Sequence, residues 1–391
     1  MTKVFEPTSL DELADVVRST GTQAIATVGS GTALGFGNPA TREDVTIRTH
    51  GLNRIVDYAP EDQVVVVEAG VTLRALQAEL GKRGQRLAID PLGGDGATIG
   101  GMLATNAYGP LALRYGTLKD LIVGIELVRA DGIIAHAGGK VVKNVAGFDV
   151  SKLIVGSLGT LAIVTKATFR VHPLPETTRR LAFNAKIDRV FPFVLALREA
   201  QLEPASIAVY VGTAARAGGA ATGGSEATIE VVFEGFGPGV EAQSATCQDV
   251  AAARDVRIGE NVASRVTLSV APEGRVVEGQ RKYTLKATFP PAQFERVARE
   301  IKGEALAFPS LGVMHFDCPS TSLGMTTVAR LRTTLFESLG GTLVVQEMPQ
   351  EWRGKIDAWG TPPPAFKLMR ALKERFDPDY RLNPGRFVGG L

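Results

Sequence analysis

Leu10, Leu13, Val16 and Val17 recur at helical spacing and predict a helix that ends near Gly21. Ser9-Leu10-Asp11-Glu12 opens it as a capping box: the Ser9 hydroxyl accepts from the Glu12 amide, and the Glu12 carboxylate reaches back. Short apolar runs then predict strands over 24–28, 45–48, 55–58 and 64–68. Thr72 caps a helix running through Lys82, with Gly81 and Gly84 placed to end it, and 86–89 is again strand-like. The runs 121–129 and 133–137 flank Asp131-Gly132, a pair that supplies positive φ, and so predict a hairpin. An alternating strand over 161–171 closes this half, and His172-Pro173-Leu174-Pro175 reads as a boundary.

Beyond Pro175 the pattern alternates between the two periods. Strands are predicted over 181–185, 206–211 and 227–233, with helices over 190–200 and 240–253. A second set follows: strand 283–289, helix 292–301, strand 312–316, helix 328–339 and strand 342–347. The expected architecture is an α+β layer with its helices on one sheet face. Residues 215–225 form a small-residue loop expected to be mobile, and 365–376 is a last helix. The expected division is 1–175, 176–364 and a closing segment 365–391.

Composition adds one anomaly and several exclusions. Of 391 residues, 44 are glycine, about 11% where about 7% is usual. The formal charge is +2 with no single-sign run, so no basic stripe marks a nucleic-acid binder. Cys247 and Cys318 are the only cysteines and make no CxxC, which excludes a disulfide framework or an iron–sulfur site within this chain. The N-terminus lacks a signal-peptide pattern, and no apolar run reaches the roughly 18 residues of a membrane helix. A cytoplasmic protein without direct membrane insertion is expected.

The glycines are concentrated: 18 of the 44 lie in 29–37 and 92–160. Glycine allows positive φ and close backbone approach, which lets successive amides turn toward an anion. The first loop, Gly29-Ser30-Gly31-Thr32-Ala33-Leu34-Gly35, fails the dinucleotide fingerprint. Its third glycine stands at 35 rather than 34, and Phe36-Gly37-Asn38-Pro39 does not open a helix. A Walker A loop is excluded too, because no Gly-Lys-Ser/Thr follows. The second segment, Asp90-Pro91-Leu92-Gly93-Gly94-Asp95-Gly96-Ala97-Thr98-Ile99-Gly100-Gly101, leads into a short helix of small residues. There a flat ligand can lie against the backbone. Lys143-Asn144-Val145-Ala146-Gly147-Phe148-Asp149 and Gly156-Ser157-Leu158-Gly159-Thr160-Leu161 follow.

This order of segments resembles the FAD-binding domain of the vanillyl-alcohol oxidase/p-cresol methylhydroxylase superfamily. Within it, the likeness is greatest to the FAD-binding subunit of the glycolate oxidase group. Residues 139–153 carry much of the match, and Leu382-Asn383-Pro384-Gly385-Arg386 is similar to the family's C-terminal signature. The resemblance implies a two-subdomain FAD-binding domain of the p-cresol methylhydroxylase type, a smaller α+β cap domain and a tail that returns to the first domain. It implies that Gly29, Ser30, Gly31, Thr32, Ala33 and Leu34 bind the FAD pyrophosphate. Pro91, Gly94, Thr98, Gly100, Gly101, Ala104, Thr105 and Asn106 would line the flavin and ribityl chain. Gly156, Ser157, Gly159, Thr160 and Leu161 would approach through backbone atoms, and Asn383 from the C-terminus. No histidine stands in the first loop to attach flavin covalently, so the FAD is expected to be non-covalent.

Catalytic residues are less legible. His50, His136 and His172 read as surface or packing histidines, and His315 lies on a predicted strand of the second half. The relatives' His-rich metal motif is absent, so no metal site is assigned, and Leu158 stands where they usually carry Glu. Arg114, Lys143 and Arg386 are candidates to neutralise a phosphate or a flavin anion. The resemblance implies an FAD-binding subunit of a glycolate (2-hydroxy acid) oxidase or dehydrogenase complex. Its partners would be a sister FAD-containing catalytic subunit and an iron–sulfur subunit, with any peripheral contact with the inner membrane made through the complex. The alternatives are a stand-alone FAD-dependent oxidoreductase, with His315 or Tyr108 as base, and a flavin-binding scaffold without turnover.

Overall fold

A computed structural model describes residues 2–139, 149–212, 226–259, 276–277, 280–301, 303–319, 322–347 and 350–391. Lys143 and the expected loop at 215–225 lie outside the described residues. Three strands, Lys3–Phe5, Val45–Arg48 and Ile25–Val28, form a parallel sheet with Val45–Arg48 in the middle. Helix Leu10–Ser19 buries Leu13, Ala14 and Val17 against Ile25, Val45 and Ile47. Its cap differs in one detail from expectation. Ser9 accepts from Glu12 N–H at 3.2 Å, but the Glu12 carboxylate reaches past Ser9 to the Thr8 N–H at 2.8 Å.

A five-stranded antiparallel sheet follows, in the order Ile55–Ala59, Val64–Glu68, Ile163–Arg170, Ile122–Val128, Ile134–Gly138. Val64–Glu68 is apolar at four successive positions because both of its faces are buried. Helices Leu73–Gly81 and Ile99–Thr105 close over this sheet through Leu73, Leu76, Leu80, Met102 and Leu103. Of the run predicted over 86–89 only Arg86 is strand, in the short strand Gln85–Arg86. It pairs with His172–Pro173, so the expected boundary residues are hydrogen-bonded back into the first half.

The second half is one long sheet, antiparallel at every described pairing. Its elements repeat as strand, helix, strand, strand, helix, strand. The first set is Thr177–Lys186, helix Ile187–Glu199, Ser206–Val211, Glu226–Gly235, helix Gly237–Ala252, Arg257–Ile258. The second is Gln280–Thr288, helix Phe294–Glu300, Ala305–Phe308, Val313–Pro319, helix Ser322–Leu331, Thr342–Val345. The spatial order is fourth, first, third, second, then second, third, first, fourth, with Ser206–Val211 joined to Ala305–Phe308 at the seam. Strand alternation decides what each face carries. Phe183, Val209, Ile229, Ala287, Ala307 and Met314 join the helix residues Phe193, Cys247 and Phe294 in one core. Asn184, Thr228, Tyr210, Leu306, His315 and Lys286 fall in register across the opposite face.

The C-terminal segment ties back to the first half. Leu382 bridges to Ile25 in parallel, so the tail extends the first sheet. Lys373, on helix Phe366–Phe376, is wholly buried; its ammonium pairs with Asp377 at 2.6 Å and donates to the carbonyls of Thr160 and Leu382. Arg381 donates to the carbonyls of Gln23, Val17 and Ala130 and to the Thr20 hydroxyl.

Candidate active site

Two glycine-rich segments and the polar face of the long sheet enclose a cavity of about 600 Å³. From the first half come Gly31, Thr32, Ala33, Leu34, Pro91, Gly94, Gly101, Thr105 and Asn106, together with Tyr108. From the long sheet come Lys286 and His315, with Gln346 and Glu347 just beyond strand Thr342–Val345. A narrower cleft gathers Gly29, Gly100, Gly101, Ala104, Ser157, Gly159 and Asn383, with Thr27 and Leu158. Gly156, Thr160 and Leu161 line a small cavity under the C-terminal helix. Ser30 and Thr98 line none of these. Ser30 is exposed, and Thr98 is buried with its hydroxyl accepting from Gly101 N–H at the helix start. The Thr160 hydroxyl likewise donates to the Ser157 carbonyl. The Thr98 and Thr160 hydroxyls are thus engaged within their own segments.

Asn383 is the junction of the cleft. Its Nδ2 donates to the carbonyls of Leu158 and Gly159 at 3.0 and 3.2 Å, and its Oδ1 accepts from Thr27 N–H at 3.3 Å. Asn383 and Leu158 both hold positive φ, 43° and 52°. A β-carbon on Gly29 would sit 2.1 Å from the Thr98 hydroxyl oxygen, so only glycine permits this approach. Arg386 donates to the Leu34 and Phe36 carbonyls at 2.8 and 2.7 Å and shapes the first loop from the tail. Arg114 instead donates to the Glu234 carbonyl.

Three buried polar side-chain atoms here, Thr27 Oγ1, Asn106 Oδ1 and Ser157 Oγ, have no hydrogen-bond partner among the described residues. Leaving such atoms unpaired is costly, and a ligand rich in hydroxyls and phosphate oxygens would satisfy them. The residues present therefore fit a dinucleotide carrying a flavin.

At the other wall, His315 Nδ1 lies 2.8 Å from Gln346 Oε1, while its Nε2 is buried without a partner. Burial, and then the neighbouring Lys286 charge, hold this imidazole neutral, with a pKa lowered to about 3. A neutral ring that donates from Nδ1 to Gln346 keeps its lone pair on Nε2. The Lys286 ammonium stands 4.4 Å from the centre of the Tyr108 ring. Lys286 and Gln346 are the residues that motif reading missed. The available signal was the polar residue at every second position of Lys282-Tyr283-Thr284-Leu285-Lys286-Ala287-Thr288. His50 and His136 are exposed beside Glu6 and Glu126, and His172 packs edge-on against Tyr115. Among the described residues, no group of three or more His, Cys, Asp or Glu could hold a metal ion. Nor is any described helix long and apolar enough to cross a membrane.

A cradle of orphaned polar atoms closed by an amphipathic sheet suits a flavin dinucleotide, and comparison with known proteins identifies the class. Residues 1–138 match the family described as FAD binding domain. A D-lactate dehydrogenase of Archaeoglobus fulgidus is 29% identical, the match covering 99% of this chain and 91% of that protein. Glycolate oxidase subunit GlcE of Escherichia coli is 33% identical across 46% of this chain and 50% of its own. Subunit GlcD of Bacillus subtilis is also 33% identical, across 52% and 44%. The matched region thus spans about half the length of these two subunits. Solved structures of alkyldihydroxyacetonephosphate synthase share the fold, one at a TM-score of 0.70 and 17% identity over 97% of this chain and 76% of that one. The chain carries the FAD-binding domain of the p-cresol methylhydroxylase-type superfamily; it is an FAD-dependent oxidoreductase.

Proposed function

We propose that this chain is the FAD-binding subunit of a glycolate (2-hydroxy acid) oxidase or dehydrogenase complex, and that the hydroxy acid is oxidised in its own cavity. The observation that carries the reading is the pairing of Lys286 with the open Nε2 of His315 across from the glycine cradle. A 2-hydroxy acid presents a carboxylate and a hydroxyl on adjacent carbons. Lys286 suits the carboxylate, and His315 Nε2 suits the hydroxyl proton. Gln346 holds the ring by Nδ1. Once a carboxylate neutralises Lys286, one cause of the low His315 basicity is removed, so the ring becomes a better acceptor when substrate is present. Bound FAD supplies the acceptor for the hydride equivalent leaving the hydroxyl-bearing carbon. Gly29 to Leu34, Pro91 to Asn106, Gly156 to Leu161 and Asn383 would hold it without a covalent link.

The electrons then have to leave. Cys247 is buried in the sheet core with its thiol pushed up to about 12 by burial, and two cysteines cannot ligate a cluster. An iron–sulfur partner and a sister flavoprotein, as the likeness to glycolate oxidase subunits suggests, meet that need. A second reading, a stand-alone hydroxy-acid dehydrogenase, is favoured by the 91% coverage of the archaeal relative. Anaerobic addition of glycolate or D-lactate to the FAD-loaded chain tests both. We expect its visible flavin absorbance to bleach, and His315→Asn and Lys286→Met to slow the bleaching about 100-fold or more. Steady turnover should require the iron–sulfur partner or an artificial acceptor. Full-rate aerobic turnover by the isolated chain with dioxygen as the acceptor supports the stand-alone reading, and no bleaching with any 2-hydroxy acid overturns the site.

A further inference from the structure

Asp90 immediately precedes Pro91–Gly94, one wall of the cavity. Both its carboxylate oxygens accept from the Leu111 N–H, at 3.1 and 3.2 Å. Pro110 has no N–H, so beyond Gly109 this is the first amide able to tie down the segment that carries Tyr108. Gly109 is pressed against the same residue: a β-carbon there would lie 2.0 Å from the Asp90 carbonyl oxygen and 2.7 Å from Oδ1. One side chain therefore bolts the Pro91–Gly94 wall to the wall on which the Lys286 ammonium rests.

We propose that Asp90 is a positioning residue whose ionisation sets the substrate affinity of the cavity. Charged, it holds the Tyr108 segment, and with it Lys286, in place; protonated, it slackens that hold. The choice of substrate rests on the oxidase reading above, but the bolt does not.

The groups around Asp90 place its titration in the working range. Burial pushes its carboxyl up to about 7; backbone hydrogen bonds, including that from Leu111, and the charge of Arg86 oppose this, and Glu234 adds to it. Arg86 and Glu234 are themselves ion-paired at 2.5 Å, with the Tyr115 hydroxyl 3.1 Å from each. Arg114 donates to the Glu234 carbonyl. His172, which faces Arg86, is held neutral by burial, with a pKa of about 4. From the long sheet, Tyr210 is raised to about 12, by burial first and then by Glu230, with a smaller part from Asp90. His315, at about 3, does not titrate in this window. An acid limb near neutrality would therefore belong to a carboxyl and not to the histidine.

The experiment uses the FAD-loaded chain with an artificial acceptor and follows KM and kcat for glycolate from pH 5.5 to 8.5. Loss of a charge-assisted bond should raise the wild-type KM by about fivefold as pH falls through 7, with kcat nearly constant. Asp90→Asn, neutral at every pH, should hold KM at the raised low-pH level throughout the range, with kcat near that of wild type. Glu234→Gln should move the midpoint down, and Arg86→Gln should move it up. A merely structural role would not move the midpoint in opposite directions. Carbon-13 carboxyl NMR of aspartate-labelled protein gives a readout independent of turnover: one resonance titrating near 7 that is missing in Asp90→Asn. Should no hydroxy acid be oxidised, that resonance still tests the bolt. Its absence from wild type, or an unchanged acid limb in Asp90→Asn, overturns the proposal.

Discussion

Replacing Asn383 tests whether a residue remote in sequence closes the flavin cleft. Its side chain makes three hydrogen bonds, to Leu158 O, Gly159 O and Thr27 N–H, and the residue is only 2% exposed. At about 1 kcal/mol each, Asn383→Gly forfeits about 3 kcal/mol while keeping the backbone free to hold its φ of 43°. Asn383→Ala loses the same bonds and adds about 1 kcal/mol for placing a β-carbon in the left-handed region. Because the bonds join strand Ile25–Val28 to the 158–159 loop, the cost should fall on cofactor retention. An effect of 3 kcal/mol is about 150-fold in the FAD dissociation constant. Fluorescence titration of apo-protein with FAD measures it, and thermal unfolding of the apo-protein separates loss of affinity from loss of fold. Expected is the order wild type, Gly, Ala in affinity, with far-UV circular dichroism unchanged. Equal FAD affinity in all three would refute the assignment of Asn383 as the closing contact.

Two further outcomes follow from the same geometry. Gly29→Ala should strip FAD and cost about 1 kcal/mol by displacing the Thr98 cap; Gly29→Ala/Thr98→Ala should recover part of the loss, measured as flavin content and melting temperature. His172 is lowered to about 4 by burial and by Arg170, Arg86 and Arg114, so between 6.5 and 4 the unfolded chain binds the extra proton. Stability present above 6.5 is then lost as pH falls toward 4; urea midpoints at pH 7 and 5 should differ less in His172→Gln than in wild type.

Much of the scaffold could be read from local signals. Strands Val45–Arg48, Val64–Glu68 and Ser206–Val211 match their hydrophobic runs, and Thr72 caps its helix by accepting from the Ala75 N–H as its position suggests. Ala305–Phe308 was not legible, because Ala-Leu-Ala-Phe lacks both alternation and β-branched residues; its place is set by partners on both sides. The run at 86–89 failed as a strand because only Gln85–Arg86 finds a partner, the other side of that pairing being His172–Pro173. In the site, glycine density pointed to segments that the fold brings together around one cavity, but not to the polar atoms beneath them. Asn106, Ser157 and Thr27 are recognisable as a set only because folding leaves their polar atoms without partners in one place. Lys286, His315 and Gln346 come from three separate strands or strand ends, 60 residues apart in sequence at the extremes. Their adjacency is a matter of strand register, which no local motif encodes.

The mirrored strand order of the long sheet has a consequence for how this chemistry could arise. Positions equivalent about the seam are Asn184, Thr228 and Tyr210 on one side and Lys286, His315 and Leu306 on the other. On the first side Thr228 donates to Asn184 at 3.0 Å, a neutral hydrogen-bonded pair. On the second, the matching places hold an ammonium and an imidazole with an open nitrogen. A mirrored sheet lets one half keep a hydrogen-bonded neutral arrangement that folding favours while the other carries the unsatisfied groups that the proposed chemistry would use. The charged and unpartnered groups of this row thus lie on one half only, facing the cavity, while the matching row of the other half is neutral.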